Sequence, residues 1–564
     1  MPRLLPRIFL LAAVLFLGCS TPVVADKASF KSAEKDFKAA QTAADEKKMV
    51  AAIDAIGAAD CKEALEFLLD TLEKDQKDAK AGKGLPGDVH DHVVSAITAL
   101  AKDEESVERI GKAAVKLDSD KMPILALDQF DFFKPLAAMT RSAAATKHLT
   151  AALTDKKNPY VKVAALEAIR QAKNPTYLDT VLGILAEDNK EWMTKWKIVP
   201  LNVFCCIEDL VTPGSDQAIR VVETLCTQWE TWTSKIKDFQ LDDRLKYFSR
   251  RMLNRLTGEV ADLSFVIFWK WWVQQKKAPA AAAQPKKPDD RSTDFRSTPA
   301  FGAEPVGKKW VFVIDVSDSM KLDLKITLED IEKRKPEKSS PITPGKGEKE
   351  GEKPEEKEEP AKNPLAKLDW KNINFKIDLA KAELARAIKE LPEGYQFAIV
   401  TYSTSINLIT GNGWVKSDQT NRDTWERKAR ELQLEALTNI HGGLMKGLRV
   451  CDKGSEAAEP AVDPDCIQSG ADTIIFLTDG WGSWSDDSKV QNVQDKRNPN
   501  NPGVKVGDGT HIYGEDIWPD IARHNLFRKV VINTVGIGNH DKECLRKLAE
   551  KSGGTYVDWG FPES

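Results

Sequence analysis

Four short apolar runs in the C-terminal half most constrain what this 564-residue chain can fold into. They are Lys309-Trp310-Val311-Phe312-Val313-Ile314, Phe397-Ala398-Ile399-Val400, Thr473-Ile474-Ile475-Phe476-Leu477 and Val530-Val531-Ile532-Asn533-Thr534-Val535. Runs of this kind, buried on both faces, are what a parallel sheet needs. Helical stretches lie between them, notably Ile377 to Leu384, Gly442 to Val450 and Cys544 to Lys551. The alternation predicts a doubly wound, Rossmann-like α/β domain over residues 308–564. In such sheets ligands sit beyond the carboxyl ends of the strands, where the strand order switches.

Polar residues collect at those ends. Asp315, Ser317 and Ser319 follow the first run, Thr438 opens the loop before the helix starting near Gly442, and Asp479 ends the run from Thr473 to Thr478. A helix cap would explain any one of them but not all five. Position by position they resemble the metal-ion-dependent adhesion site of the von Willebrand factor type A family. Thr438-Asn439-Ile440 with Gly442-Gly443, and Leu477-Thr478-Asp479-Gly480, extend the resemblance from about Lys308 to the C-terminus. Two carboxylates and three hydroxyls form an all-oxygen donor set suited to Mg2+ or Mn2+, while the absence of convergent Cys and His argues against zinc. The resemblance implies that Ser317 and Ser319 coordinate directly, and Thr438 in the ligand-competent arrangement. It implies that Asp315 and Asp479 act largely through bound waters, and that an Asp or Glu carboxylate from a partner protein fills an open position.

Two stretches depart from a compact family member. Residues about 333–367 mix Lys, Glu and Pro with too few apolar groups to offset the entropy of ordering, and read as a disordered insertion. From Gly480 to about Asp520 runs a long loop on the metal face, where Trp481 and Trp484 either frame a partner site or pack the loop onto the sheet. Cys451 and Cys466 bracket a loop that a disulfide would close in an oxidising compartment, and His441 reads as a local hydrogen-bonding residue. No enzyme is expected. A haloacid-dehalogenase-type phosphohydrolase needs a second Asp where Ser317 stands, and neither a Gly-x-Ser-x-Gly elbow nor a Walker-type lysine loop is present.

The first half is different. Residues 26–277 read as helix after helix, and Val50-Ala51-Ala52-Ile53-Asp54-Ala55-Ile56 aligns with Val163-Ala164-Ala165-Leu166-Glu167-Ala168-Ile169. Val161, Ala165, Ala168, Ile169 and Ala172 line one face of the second copy, and Asn158-Pro159 supplies an N-cap and an N1 proline. Such helical pairs must stack on neighbours, and the region resembles a HEAT-like α-solenoid. Phe268-Trp269-Lys270-Trp271-Trp272 reads as a capping helix rather than a stacking platform. Residues 278–307, rich in Ala and Pro, read as a linker.

The N-terminus sets the expected compartment. Residues 1–25 have the charged start, short apolar run and small residues of a signal peptide; alternatively a lipoprotein signal ends before Cys19. The chain is therefore expected to be exported, periplasmic or secreted, or lipid-anchored at a bacterial envelope. With 82 Lys+Arg against 86 Asp+Glu it carries no global nucleic-acid footprint, and membrane contact is expected only through a lipidated Cys19. The leading expectation is an adhesion or scaffold protein that binds an acidic residue of a protein partner through Mg2+ or Mn2+. The alternatives are a scaffold in which the solenoid binds and the A-type domain is structural and, ranked lowest, a metal-dependent hydrolase.

Overall fold

The computed structural model describes residues 27–79, 85–187, 190–278, 300–332, 337–338 and 364–560. The expected signal peptide with Cys19, most of the expected linker and most of the charged insertion lie outside the described residues. The chain divides into two compact units, residues 1–113 and 114–564.

The first unit is helical. Helices Lys27–Thr42, Glu46–Ala58, Lys62–Ala79 and Gly87–Ala99 bury Phe37, Ile53, Ile56, Leu68, Val93 and Ile97 between them. Asp45 caps the second helix by accepting from the Lys48 N–H.

The second unit opens with further helices, from Leu125–Ala138 to Val266–Lys277. Helix Pro159–Ala172 starts as its sequence predicts, with the Asn158 side chain accepting from the Tyr160 and Val161 N–H groups. The expected single apolar face understates it, because every residue from Pro159 to Ile169 is buried, including Lys162 and Glu167. A helix buried on every side along most of its length lies inside a structure rather than along one side of it. Trp269 and Trp272 are core, with Trp269 Nε1 donating to the Asp262 carbonyl at 2.8 Å.

The sheet follows. Its strands are β1 (Lys309–Asp315), β2 (Glu337–Lys338), β3 (Gln396–Tyr402), β4 (Ile406–Leu408), β5 (Val415–Lys416), β6 (Thr473–Thr478), β9 (Val531–Ile537) and β10 (Thr555–Trp559); β7 (Val493–Gln494) and β8 (Lys505–Val506) form a separate hairpin. The order is β2-β10-β9-β6-β1-β3-β4, with β5 also on β3. The central pairs are parallel, and β2, β4 and β5 add antiparallel edges. Phe312 and Ile314 of β1 pack against helix Lys376–Lys389, while Val311 and Val313 share the opposite core with helices Ile440–Arg449 and Lys542–Ser552. Both faces of β1 are thus covered, which is why it carries no alternation. The strands after β1 lie on either side of it, so the switch in strand order falls at the carboxyl ends of β1, β3 and β6.

Packing crosses two of the expected boundaries. Residues 300–307, expected as the end of the linker, pack with the sheet domain: Phe301 is fully buried, packs against Phe312 and Trp559, and donates its N–H to buried Glu383 at 2.7 Å. The division near residue 277 also separates regions that pack together within the second unit. Asn202 Nδ2 donates to the Phe527 carbonyl at 2.7 Å, Tyr247 Oη to the Gly553 carbonyl at 2.8 Å, and Arg523 pairs with Asp131 at 3.0 Å.

At the centre of that contact Glu167 pairs with Lys529 at 2.8 Å and with Arg170 at 2.6 Å. Burial alone would raise the Glu167 carboxyl, but Arg170 and Lys529 outweigh it and hold it down to about 2. Removing one partner of a buried ion pair typically costs about 3–5 kcal/mol. Lys529→Met is expected to lose stability on that scale and to open the contact to proteolysis; denaturant unfolding beside limited digestion checks it, and an unchanged midpoint would show that the pair is only peripheral.

Candidate metal centre

Asp315 closes β1 and is fully buried. Its Oδ1 accepts from the Ser317 N–H at 2.9 Å, and its Oδ2 from the Thr478 hydroxyl at 2.7 Å. Tyr402, at the end of β3, reaches the Leu477 carbonyl at 2.9 Å and Asp315 Oδ2 at 3.3 Å. Three adjacent strand ends therefore supply the floor of the site. Above it the Ser317 and Ser319 hydroxyls are 3.0 Å apart, and Ser319 Oγ donates to Asp479 Oδ1 at 2.7 Å. Since the Ser319 proton goes to Asp479, Ser317 is the donor to Ser319.

The structure thus brings Asp315, Ser317, Ser319 and Asp479 into one cluster. Thr438 lies alongside, in a segment whose Glu435 N–H donates to the Val316 carbonyl at 2.8 Å. Among the described residues no hydrogen bond joins its hydroxyl to the other four; its backbone instead bonds the Ser483 hydroxyl, the Ser483 N–H and the Trp484 N–H. Burial first, and the neighbouring Asp479 charge second, push the Asp315 carboxyl up to about 7. A site that strains to keep two carboxylates charged is one that a cation would relieve.

Part of that relief is already present. The Lys376 ammonium, at the first position of helix Lys376–Lys389, lies 2.7 Å from Asp479 Oδ2, with side-chain exposures of 4% and 0%. Sequence reasoning missed this residue. The available signal was a lysine in a helix's first turn, where the helix dipole disfavours a cation unless a carboxylate faces it. The oxygen donors present fit a hard divalent ion.

Gly442 and Gly443 allow helix Ile440–Arg449 to approach this floor. A Cβ on Gly443 would meet the Tyr402 ring at 2.7 Å, and one on Gly442 would meet the Ile406 side chain. Gly443→Ala is expected to cost about 1–3 kcal/mol by overpacking. Thermal unfolding checks it, and a change of under a few tenths of a kcal/mol would show that the helix simply shifts.

The stretch expected to be one long loop is folded. It contains the β7–β8 hairpin and enters helix Gly514–His524, and acidic side chains stitch it together. Asp487 accepts from the Thr510 N–H and hydroxyl at 3.0 and 2.9 Å, Asp495 pairs with Arg497 at 2.8 Å, and Arg497 donates to the Gly482 carbonyl at 2.8 Å. Trp484 packs beside Gly507, whereas Trp481 remains 39% exposed with Arg497 over its ring. Cys451 and Cys466 are buried free thiols rather than a disulfide. The Cys466 thiol donates instead to the Arg449 carbonyl at 3.6 Å, and burial pushes it up to about 12.

Residues 372–498 and 504–558 match the model of the von Willebrand factor type A domain family. The C-terminal half carries a von Willebrand factor type A domain. The match includes Thr438 and Asp479, while Asp315, Ser317 and Ser319 precede it and are joined to it by β1 at the centre of the sheet. Inter-alpha-trypsin inhibitor heavy chain H1 of Sus scrofa is 27% identical over 127 residues, covering 21% of this chain and 13% of that protein. The Mesocricetus auratus protein of the same name is 24% identical over 139 residues, covering 23% and 14%. The chain thus spans under a sixth of the length of these relatives. A solved structure, von Willebrand factor type A from Catenulispora acidiphila, aligns at 17% identity with a TM-score of 0.24, covering 44% of this chain and 38% of that one.

Proposed function

We propose that the chain is an exported, non-enzymatic adhesion or scaffold protein whose A-type domain binds an acidic side chain of a protein partner through Mg2+ or Mn2+. The observation that carries this reading is the meeting of Asp315, Ser317, Ser319 and Asp479 at the switch in strand order. A divalent ion held there would supply an electrophilic position for a partner's Asp or Glu. Ser317 and Ser319 would hold it directly, Asp315 and Asp479 would set the charge, and Thr438 would join from the adjacent loop. Exposed Trp481 would meet the partner beside the site. Export rests on the signal-like residues 1–25, and the mass of the mature N-terminus would distinguish a start near Asp26 from a lipidated Cys19. Among the described residues no helix is long and apolar enough to cross a membrane.

One observation favours the second reading, a scaffold in which the helices bind and the A-type domain is structural. The Lys376 ammonium already neutralises Asp479 without any metal. Melting of the full chain across a Mg2+ and Mn2+ titration, beside Asp315→Ala, separates the two. An ion that binds only the folded state stabilises it by about 2.7 kcal/mol at 100 times its Kd. A rise lost in Asp315→Ala supports the adhesion reading. No rise at millimolar metal would reject it in favour of the scaffold.

A further inference from the structure

We propose that the cleft between the helical region and the A-type domain binds an acidic segment of a protein partner, independently of the Asp315 cluster. The cleft has a volume of about 720 Å3. It is lined by residues of helices Leu125–Ala138 and Pro159–Ala172 from the helical region and of Gly514–His524 and Lys542–Ser552 from the A-type domain. A concavity of this size where two structural regions meet is a common place for a ligand.

The lining is cationic. Six Lys and Arg side chains face two carboxylates, Glu167 and Asp209, and both carboxylates are already taken up. Glu167 pairs with Lys529 and Arg170 and accepts from Gln171 Nε2 at 3.0 Å, while Asp209 pairs with Arg170 at 2.7 Å and with Arg255 at 3.2 Å. Arg523 turns to Asp131, which also draws Lys134 at 3.7 Å. That leaves Lys173 and Lys551. Both are exposed, and among the described residues neither has an ion-pair partner. The Lys551 ammonium lies over the half-buried Trp518 ring, 5.8 Å from its centroid, which keeps it at the cleft. Unpaired like charges gathered in one concavity focus the field there and draw in anions.

Two of the lining lysines are held in a conformation that lysine disfavours. Lys173 closes helix Pro159–Ala172 in the left-handed region, at φ 50° and ψ 42°, and Lys529 has φ 53°. Glycine takes such a position at a helix end without strain, so a side chain there costs stability. At Lys529 the buried pair with Glu167 offsets that cost. Lys173 has no such compensation within the described fold. A strained residue whose charge is unmatched inside the chain points to a partner outside it.

Lys173 belongs to the helical region and Lys551 to the A-type domain, so an occupant that meets both carries more than one anionic group. Phe130, Trp518 and Leu526 also line the cleft, and they suit the apolar parts of a peptide better than a free inorganic ion. A Glu- or Asp-rich segment supplies both, with charge-assisted hydrogen bonds to the lysines. The helical region then shares in binding whatever the Asp315 cluster does.

The test uses the full chain in EDTA, so that no divalent ion at the Asp315 cluster can hold the probe. The probe is a fluorescein-labelled oligoglutamate peptide, with oligoglutamine as its neutral control, read by fluorescence anisotropy. Oligoglutamate is expected to bind, oligoglutamine not to bind, and added salt to weaken the complex. Reversing both free charges, Lys173→Glu with Lys551→Glu, is expected to weaken binding at least about 10-fold. Asp315→Ala is expected to bind as the wild type does. Lys173→Gly is expected to melt at or above the wild-type temperature and yet bind several-fold more weakly, which a purely structural lysine would not do. The proposal is overturned if oligoglutamate does not bind in EDTA, if the charge-reversed chain or Lys173→Gly binds it as the wild type does, or if Asp315→Ala abolishes binding. Displacement of the peptide by an equal concentration of inorganic phosphate would also overturn it, by making the cleft a small-anion site.

Discussion

Lys376→Met is expected to cost the metal-free chain about 3–5 kcal/mol, because it leaves a buried carboxylate without its counter-charge. The Lys376 ammonium is 2.7 Å from Asp479 Oδ2 and both side chains are shielded from water. Without it, Asp479 retains the Ser319 hydroxyl at 2.7 Å and faces a second buried carboxylate, Asp315. Two like charges sharing one dry site destabilise each other, and no solvent is at hand to screen them. Methionine preserves most of the lysine stem's packing, so the loss reports charge rather than a cavity. If the site also takes Mg2+, the variant should recover much of its stability when Mg2+ is added, and respond more than the wild type does. In the wild type an entering ion competes with the ammonium for Asp479; in the variant it does not. Calorimetric unfolding of both chains, in EDTA and across Mg2+, checks each part. Equal stability in EDTA would show that the pair has no net worth.

The legible parts of this protein are those set by local pattern. Runs such as Val311-Phe312-Val313-Ile314 declare a strand covered on both faces, and the structure places β1 between two helical layers. Asp315, Ser317, Ser319 and Asp479 were legible because strand ends in such a sheet converge whatever their sequence separation. Lys376 was not, because it meets Asp479 across 103 residues and no spacing rule links a helix's first turn to a distant strand end. The contact between the helices and the sheet domain left a fainter trace. Val163, Ala164 and Leu166 extend the apolar stripe of helix Pro159–Ala172 around its circumference, which a solenoid helix with one solvated side would not show. Reading only the face through Val161, Ala165 and Ile169 concealed it.

Raising the pH from about 4 to 8 is expected to weaken the metal-free chain through Asp315, and Asp315→Asn to remove that dependence. In the unfolded chain this carboxyl titrates near 3.8; in the fold, burial and the Asp479 charge push it up to about 7. Below the unfolded value both states are protonated and the fold keeps its full advantage. As the pH climbs towards 7 the unfolded chain has already lost its proton while the fold retains it, so stability falls with each step and levels off above the folded value. A shift of this size is worth on the order of a few kcal/mol. Asparagine keeps the shape, and its amide oxygen still accepts from the Ser317 N–H, while its amide N–H turns Thr478 from donor to acceptor. Subtracting the variant's melting profile from that of the wild type isolates Asp315 from every other titrating group. Parallel profiles between pH 4 and 8 would show that Asp315 is already ionised throughout, held charged by Lys376 acting on the pair as a whole. A divalent ion reverses the preference, because it favours the carboxylate, so saturating Mg2+ should flatten the wild-type slope while leaving Asp315→Asn unmoved. That contrast separates an acid that is merely buried from one that is kept poised for a cation.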